Sequence, residues 1–340
     1  MVLVLLARHW LARRHYPFAS WIACIARSLR ELLFPRAHGR LLALDIYRRH
    51  LTQVHDDVFH HLSHRDYLVK GLALRERVRC VAVHYRFEDA TFDAAYRQAV
   101  YRDGGLPLWE HCAHGVRVAV QLEMAQRLNA EGDLTLVLLA DGKRLHRLSF
   151  SWVDARFPGC AGLGTVGITP FIARNQGHRA DALDAIDAFR RAFPANSPLV
   201  GTPGFFCFAA LQGMAQALGM DQVVAVGAAA QCAHDARDGA RFHKAYDGFW
   251  QTLGGQALPG GGYRIALPFY MKPLSGTPSR RRKRAAERHT QWQAVAESAR
   301  LALQRHLVTL TPPSLPALPP SCAAARRSAA PTARPSSSCW

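Results

Sequence analysis

Residues 132–153, GDLTLVLLADGKRLHRLSFSWV, contain two runs of branched side chains that Asp141 and Gly142 separate. An Asp-Gly pair between two such runs is typical of a β-hairpin, because both residues tolerate the positive φ of a tight turn. The stretch therefore predicts two antiparallel strands, over 133–141 and 143–153. We therefore expect a fold that contains an antiparallel sheet.

Neighbouring segments extend this sheet. Further strands are predicted over 116–124 (VRVAVQLEM), 164–172 (GTVGITPFI), 221–228 (DQVVAVGA) and 261–269 (GGYRIALPF). Within 221–228 the sequence is continuously apolar from Val223 onward, as expected of a strand that is buried on both faces. Helical patterns cover 181–193, 206–218 and 242–255, and the polar segment ARNQGHRAD, 173–181, reads as a loop.

The order of these segments predicts an α+β fold with a mixed sheet, antiparallel at first and parallel later. Its parts are a basic amphipathic N-terminal helix within 1–39 and a domain over 40–308, followed by a disordered tail over 309–340 that is rich in Pro, Ser and Ala. Within the domain we expect a helical region (40–105), a sheet flanked by helices (106–276) and a basic helix (279–307).

The charge of the chain lies mostly at its ends. The 340 residues carry a formal net charge of +18, of which +6 falls in residues 1–40 and +9 in residues 277–340, leaving +3 for the centre. Basic ends favour anionic partners, either a membrane surface or a nucleic acid.

A helix is predicted over 17–34, with Pro17 in its first turn and Pro35 after its end. Its apolar side chains share one face, which suits either a helix in the membrane interface or a helix docked on the protein's own core. Only seven residues precede Arg8, and no uncharged stretch approaches the length of a membrane span. We therefore expect a cytoplasmic protein, either free or peripheral to a membrane.

The last predicted helix opens with Arg280, Arg281, Arg282, Lys283 and Arg284. Positive charge at a helix N-terminus opposes the macrodipole, so helix stability does not explain this run. Three interpretations stay open: a solvated helix end, contact with anionic lipid headgroups, or contact with nucleic-acid phosphates. The run lacks the interleaved aromatic residues of a base-stacking platform, which weakens the third.

Metal binding has little support in the sequence. Cys112, His114, Cys232 and His234 are the set that could form a zinc site, but their two halves are 120 residues apart and neither has Cys-x-x-Cys spacing. Surface histidines and reduced core thiols explain these residues better, and we expect no metal.

From residue 116 onward, the order of elements resembles the GCN-five-related N-acetyltransferases. That resemblance implies a strand meander leading to a loop that holds the pyrophosphate of acyl-coenzyme A, which would be Arg174, Asn175, Gln176, Gly177 and Arg179. It also implies a tyrosine-bearing helix, which FWQTLGG (249–255) is similar to. Trp250 occupies the usual tyrosine position, and the loop lacks its second glycine.

An indole cannot replace the phenol as a proton donor, so Tyr246, one turn earlier, is the candidate acid. His84, at the end of a helical segment, is a second candidate for proton transfer because a histidine titrates near neutral pH. The alternative for His84 is a cap on the last carbonyls of that helix.

Several ordered segments together resemble the VirK/YbjX family of Gram-negative bacteria. They include LALRERVRC, VHYRF, ITPFIARNQG, LGMDQVVAVGAAAQ, KAYDGFWQTLGG and KPLSGTPSRRRKRA, and they span about residues 40–300. The family has no established reaction. The resemblance implies a role in the cell envelope or lipid A, in virulence, or in tolerance of antimicrobial peptides.

Three functional hypotheses follow. The first is acyl transfer from an acyl-coenzyme A donor, in which the residues 174–179 hold the phosphates and Tyr246 or His84 handles the proton. The second is an adaptor that keeps the fold without the chemistry, which Trp250 and the single glycine favour. The third is a nucleic-acid-binding regulator that uses the basic helix.

Overall fold

The computed structural model describes residues 2–51, 66–125, 131–162, 167–177, 183–193 and 203–308. Its helices are α1 (Val2–Ala12), α2 (Phe18–Ser28), α3 (Pro35–Leu42), α4 (Leu74–Thr91), α5 (Ala94–Tyr101), α6 (Leu183–Ala192), α7 (Pro203–Ala217), α8 (Gly239–Ala245), α9 (Asp247–Thr252) and α10 (Ser279–Gln304). Its strands are β1 (Leu106–Ala113), β2 (Val116–Met124), β3 (Leu134–Ala140), β4 (Lys143–Asp154), β5 (Ile168–Gly177), β6 (Gln222–Val226), β7 (Gln256–Ala257) and β8 (Gly262–Ala266). The predicted α+β fold is confirmed.

The strands of the described residues form one sheet in the order β1-β2-β3-β4-β5-β6-β8-β7. Neighbouring strands are antiparallel, except that β5 and β6 run parallel. A parallel pair requires a crossover connection, and the chain between β5 and β6 contains α6 and α7. The sheet is therefore mixed, as the sequence predicts.

The hairpin predicted at Asp141 and Gly142 is confirmed. Ala140 pairs with Lys143, and the two residues between them have φ angles of 47° and 74°. Two positive φ angles in a two-residue turn match the twist of the flanking strands. This geometry sets the register of β3 against β4.

Strand β1 was not among the predicted strands. It joins β2 through a turn at His114 and Gly115, whose φ angles are 51° and 72°. The turn resembles the Asp141-Gly142 turn, but a histidine in its first position is not a common hairpin signal. The sequence therefore lacks a clear turn signal for β1, whereas the structure shows the strand paired with β2.

The loop predicted over 173–181 is wrong for residues 173–177. Strand β5 continues to Gly177, and its last residues pair with His146–Ser149. Because β4 is 12 residues long, it offers partners beyond the apolar part of β5. Asn175 is buried while the residues on both sides of it are half-buried, which is the alternation of a strand.

Helix α7 lies between the sheet and α10. On the sheet side, the Cys207 thiol is 3.7 Å from the carbonyl oxygen of Leu136 on β3. On the other side, a Cβ atom at Gly213 would lie 1.9 Å from the carbonyl oxygen of Ala296. Only glycine permits this approach. Packing against α7 therefore fixes α10 to the body of the protein.

The helix predicted over 17–34 is shorter in the structure. Helix α2 ends at Ser28, and Leu29–Leu33 form a 3₁₀ turn. The Ser28 hydroxyl bonds to the carbonyl oxygens of Cys24 and Ile25, and it accepts a 2.6 Å hydrogen bond from the Trp10 indole. Serine side chains compete in this way with the helical backbone, which accounts for the early end.

Helix α2 is only partly covered. Cys24 is 4% exposed, whereas Phe18 is 75% exposed and Ile22 is 45% exposed. One side of the helix therefore packs on the protein, and apolar side chains on another side remain in solvent.

Within the ranges described, every helix is too short or too polar to cross a lipid bilayer. The tail predicted over 309–340 lies outside the described residues, as does 52–65 of the predicted helical region.

Candidate functional site

The candidate site begins where the parallel strands β5 and β6 part. They pair only at Phe171 and Ile172 of β5. Directly after this point, the register of β5 with β4 shifts, and Ala173 forms a β-bulge. Bulges bend a strand and are frequent beside active sites. We call the space between residues 173–177 and the segment that follows β6 the strand gap.

Tyr246 lies at the strand gap and is 5% exposed. Its hydroxyl accepts a 3.4 Å hydrogen bond from the backbone N–H of Asn175, whose side-chain amide donates to the Ala245 carbonyl at 3.1 Å. Burial raises the pKa of Tyr246 well above its ordinary value, and the negative charge of Glu131 adds to the rise. The phenol therefore keeps its proton at neutral pH.

The single helix predicted over 242–255 is wrong, because the chain bends at Tyr246. The φ and ψ angles of Tyr246 are −112° and −77°, and they separate α8 from α9. Its N–H still donates to the Phe242 carbonyl and its carbonyl accepts from the Trp250 N–H, both at 2.9 Å. The bend thus falls at the residue whose side chain reaches β5.

Trp250 has a structural role in α9. It is fully buried, and its indole Nε1 donates a 2.8 Å hydrogen bond to the carbonyl oxygen of Val226 at the end of β6. A buried indole N–H needs such an acceptor. Trp250 therefore holds α9 against β6, and its N–H is occupied by the protein itself.

His146 joins the strand gap to the first turn of α7. Its Nε2 lies 2.8 Å from the side-chain oxygen of Asn175. Its ring packs against Gly204, where an added Cβ atom would lie 3.3 Å from two ring atoms. The free N–H groups of a helix's first turn attract anions. The start of α7 thus lies beside the Asn175 end of the gap.

Glu131 supplies an acidic group at the same place. Burial raises the pKa of its carboxyl to about 7, although the charge of Arg174 and a hydrogen bond from Gln231 lower it. A carboxyl with this pKa is half-ionised near neutral pH and can take up and return a proton. No sequence motif identifies Glu131, because its pKa shift arises from burial, which a lone glutamate does not signal.

The residues predicted to hold phosphates are not in a loop. Arg174, Asn175, Gln176 and Gly177 all lie on β5, and the Arg174 guanidinium donates to the Gln176 side chain. These residues complete the ladder with β4. Arg179 lies outside the described residues.

His84 is not at the end of a helix, as the sequence analysis has it, but within α4. It is fully buried, and its Nδ1 accepts a 3.1 Å hydrogen bond from the backbone N–H of Trp152. It therefore caps no carbonyl at the end of α4. Burial lowers its pKa to about 4, so it is neutral at pH 7. Trp152 is four residues along β4 from the partner of Asn175, a distance of about 13 Å.

Beside His84 lies a fully buried carboxyl, Glu88. It accepts hydrogen bonds from the Trp152 indole at 2.5 Å, from the Tyr101 hydroxyl at 3.0 Å and from the Tyr96 hydroxyl at 3.3 Å. Burial raises the pKa of Glu88 to about 7, against the lowering effect of these three donors. The cluster joins α4 and α5 to β4.

The basic run lies on the exposed first turns of α10. Arg280, Arg281, Arg282, Lys283 and Arg284 are all exposed, and none forms an ion pair with another described residue. The structure thus presents these charges to solvent.

As for metal ligands, the described part of the chain contains no group of three or more His, Cys, Asp or Glu side chains placed to hold an ion. Cys112 is exposed and Cys232 is half-buried.

A family model described as "Protein of unknown function (DUF535)" matches residues 29–300. The match fits the resemblance to the VirK/YbjX family, and it contains the strand gap, Glu88 and most of α10. No curated protein matches the chain, and no solved structure does. Because the match covers well over half of the 340 residues, the chain belongs to this family of unknown function.

Proposed function

We propose that the protein transfers an acyl group from an acyl-coenzyme A donor that binds in the strand gap. The observation that carries the proposal is the parallel pair β5 and β6, which pairs at only two positions and then leaves the edge of β5 beside Tyr246. The order of strands and the crossover through α7 fit the resemblance to the acetyltransferases. In keeping with the VirK/YbjX resemblance, we place the activity in envelope remodelling at the inner membrane.

The strand gap suits the arm of coenzyme A because that arm is an extended chain with two amide groups. Beyond Ile172, β5 has no ladder partner on the β6 side among the described residues. An unpaired strand edge offers N–H and C=O groups to an extended ligand, as it does to an added peptide strand. The first turn of α7, beside His146, would meet the donor's phosphates.

Glu131 and Tyr246 have separate roles in the reaction: Glu131 accepts a proton, and Tyr246 stabilises the leaving group. The Glu131 carboxylate takes the proton of the acceptor's amine or hydroxyl, which then attacks the thioester carbonyl. The carbon–sulfur bond breaks, and the thiolate leaves with the electron pair of that bond. The Tyr246 hydroxyl, protonated at neutral pH, donates a hydrogen bond to the departing sulfur.

The proposal is tested by isothermal titration of acetyl- and longer-chain acyl-coenzyme A into the full chain. We expect micromolar binding that Gly177→Trp abolishes, because the indole would enter the gap from the exposed end of β5. Gly39→Trp is the matched control, since a Cβ atom at Gly39 meets nothing within 4 Å. Equal binding to both variants would place the donor elsewhere.

A second function, a non-catalytic adaptor, is favoured by one observation. The Tyr246 hydroxyl already takes the backbone N–H of Asn175 that a donor would use. An adaptor has its cleft filled by its own side chains, and it would bind no acyl-coenzyme A of any chain length. The same titration therefore separates the two functions.

A further inference from the structure

A cleft of about 900 Å³ lies between the start of α7, α9, the segment 270–278 and α10, and neither the strand-gap residues 173–177 nor Tyr246 line it. Its apolar lining comprises Phe205, Tyr270, Met271, Ala285 and Trp292, and its cationic lining comprises Lys272, Arg281, Arg284 and Arg288. We propose that this space, the basic cleft, binds an amphiphile that carries phosphate next to an apolar group. The proposal does not depend on acyl transfer at the strand gap.

The helical period divides the basic residues near the start of α10 into two sets. Arg281, Arg284 and Arg288 line the cleft at spacings of three and four residues, so they share one face of α10. Arg280, Arg282 and Lys283 do not line it. Only some of the basic residues therefore line the cleft, and the others provide controls of the same charge on the same helix.

The charge of the basic cleft is uncompensated. No Asp or Glu is among its described lining residues, and none of its four Lys and Arg side chains forms an ion pair with a described residue. The pKa of His289, which also lines the cleft, is lowered by burial and by the charge of Arg288. Arginine pairs closely with phosphate oxygens, and several arginines converging on one space favour a multiply charged anion.

The aromatic side chains that line the basic cleft favour a ligand that also carries an apolar group. Phe205 and Trp292 stack with ring centroids 4.5 Å apart, and Tyr270 is 55% exposed. Trp292 is 6% exposed, and its indole Nε1 has no hydrogen-bond partner among the described residues. A soluble inorganic anion would leave the exposed Tyr270 ring in water, whereas an amphiphile covers it.

The size of the space favours a small molecule. Pockets for small ligands have volumes of roughly 300–1,000 Å³, and they combine apolar walls with a few placed polar groups. The basic cleft, at about 900 Å³, fits this description. A nucleic-acid strand would instead need a groove that tracks its backbone with successive stacking residues.

The probe that matches this chemistry is dodecyl phosphate below its critical micelle concentration, titrated into the full chain. Inorganic phosphate tests the anion alone, and dodecyl maltoside tests the apolar chain alone. We expect dodecyl phosphate to bind more tightly than either. Arg284→Gln should weaken that binding about tenfold, because it removes a charge-assisted hydrogen bond. The matched control, Arg282→Gln, should bind within about twofold of the parent, since it loses a charge that is screened by solvent.

Two sources of such a ligand are separated by competition against bound dodecyl phosphate. Displacement by coenzyme A identifies a soluble nucleotide, and displacement by phosphatidylglycerol vesicles identifies a membrane lipid. Gly177→Trp should still bind dodecyl phosphate, which would show that the basic cleft binds its ligand independently of the strand gap. Equal weakening by Arg284→Gln and Arg282→Gln, equal affinity for dodecyl maltoside, or displacement by neither competitor overturns the proposal.

Discussion

Glu88 and Glu131 are two carboxyls whose pKa burial raises to about 7, but their surroundings differ. Glu88 is fully buried and accepts hydrogen bonds from an indole and two phenols. Glu131 is half-buried, bonds to Gln231 and lies within electrostatic reach of Arg174 and Tyr246. A raised pKa therefore does not identify a working acid or base. Electrostatic interaction with Arg174 and Tyr246 of the strand gap distinguishes Glu131, and a closed cage of donors distinguishes Glu88.

The largest expected effect is on folding. Glu88→Ala leaves three buried donors without their acceptor, so we expect the free energy of unfolding to fall by about 4 kcal/mol. Urea denaturation measures the loss. Glu131→Ala, the control, should cost about 1 kcal/mol because only the Gln231 amide loses its acceptor. Equal losses would mean that the two carboxyls do not differ as the structure indicates.

A second test uses pH. The pKa of Glu88 is about 7 in the folded protein against 4.5 when unfolded, so the folded state holds the proton more tightly. Its stabilising contribution is complete below pH 4.5 and is lost as the pH rises through about 7.

Relative to Glu88→Gln, the parent should therefore lose about 3 kcal/mol of unfolding free energy over that window. Glutamine keeps an acceptor for the donors but has no charge to bury. Denaturation curves for both proteins across the window give the difference, and parallel curves would refute the assigned shift.

A third test concerns catalysis. Glu131→Gln should lower the rate of acyl transfer about 100-fold, because glutamine cannot accept the acceptor's proton. Binding of the donor should persist, which isothermal titration checks. Glu88→Gln is the control, and its rate should match that of the parent protein. Loss of activity in the control alone would reverse the assignment.

The smallest expected effect belongs to Tyr246. Tyr246→Phe removes the hydroxyl that faces the Asn175 N–H, so we expect about a tenfold lower rate of thiol release. Tyr16→Phe, at an exposed tyrosine in the N-terminal region, is the control. An unchanged rate in Tyr246→Phe would mean that the phenol only fills space.

The sheet could be predicted from local signals, and the site could be predicted only in part. The signals for the β3–β4 hairpin and for β6 lie within those elements themselves. They are the Asp141-Gly142 turn and the apolar run within 221–228. The strand character of residues 173–177 arises from the length of β4, a partner distant in sequence, so the polar sequence there suggests a loop.

The carboxyls show the same limit. Glu88 and Glu131 carry no motif, and their pKa values depend on burial by segments far along the chain. Tyr246 and Asn175 are 71 residues apart, and only the resemblance to acetyltransferases placed both in one site. The bend between α8 and α9 could not be predicted either, because the residue at the bend, Tyr246, is neither a glycine nor a proline.

The most direct test of the account is the pH dependence of kcat/KM for thiol release from acetyl-coenzyme A, measured for the parent protein, Glu131→Gln and Glu88→Gln. We expect the parent and Glu88→Gln to gain activity through an inflection near the pKa of Glu131, about 7, as its carboxyl ionises. Glu131→Gln should show a low, flat profile. An inflection that survives in Glu131→Gln, or an absence of thiol release at every pH, would contradict the assignment of the strand gap as an acyl-transfer site.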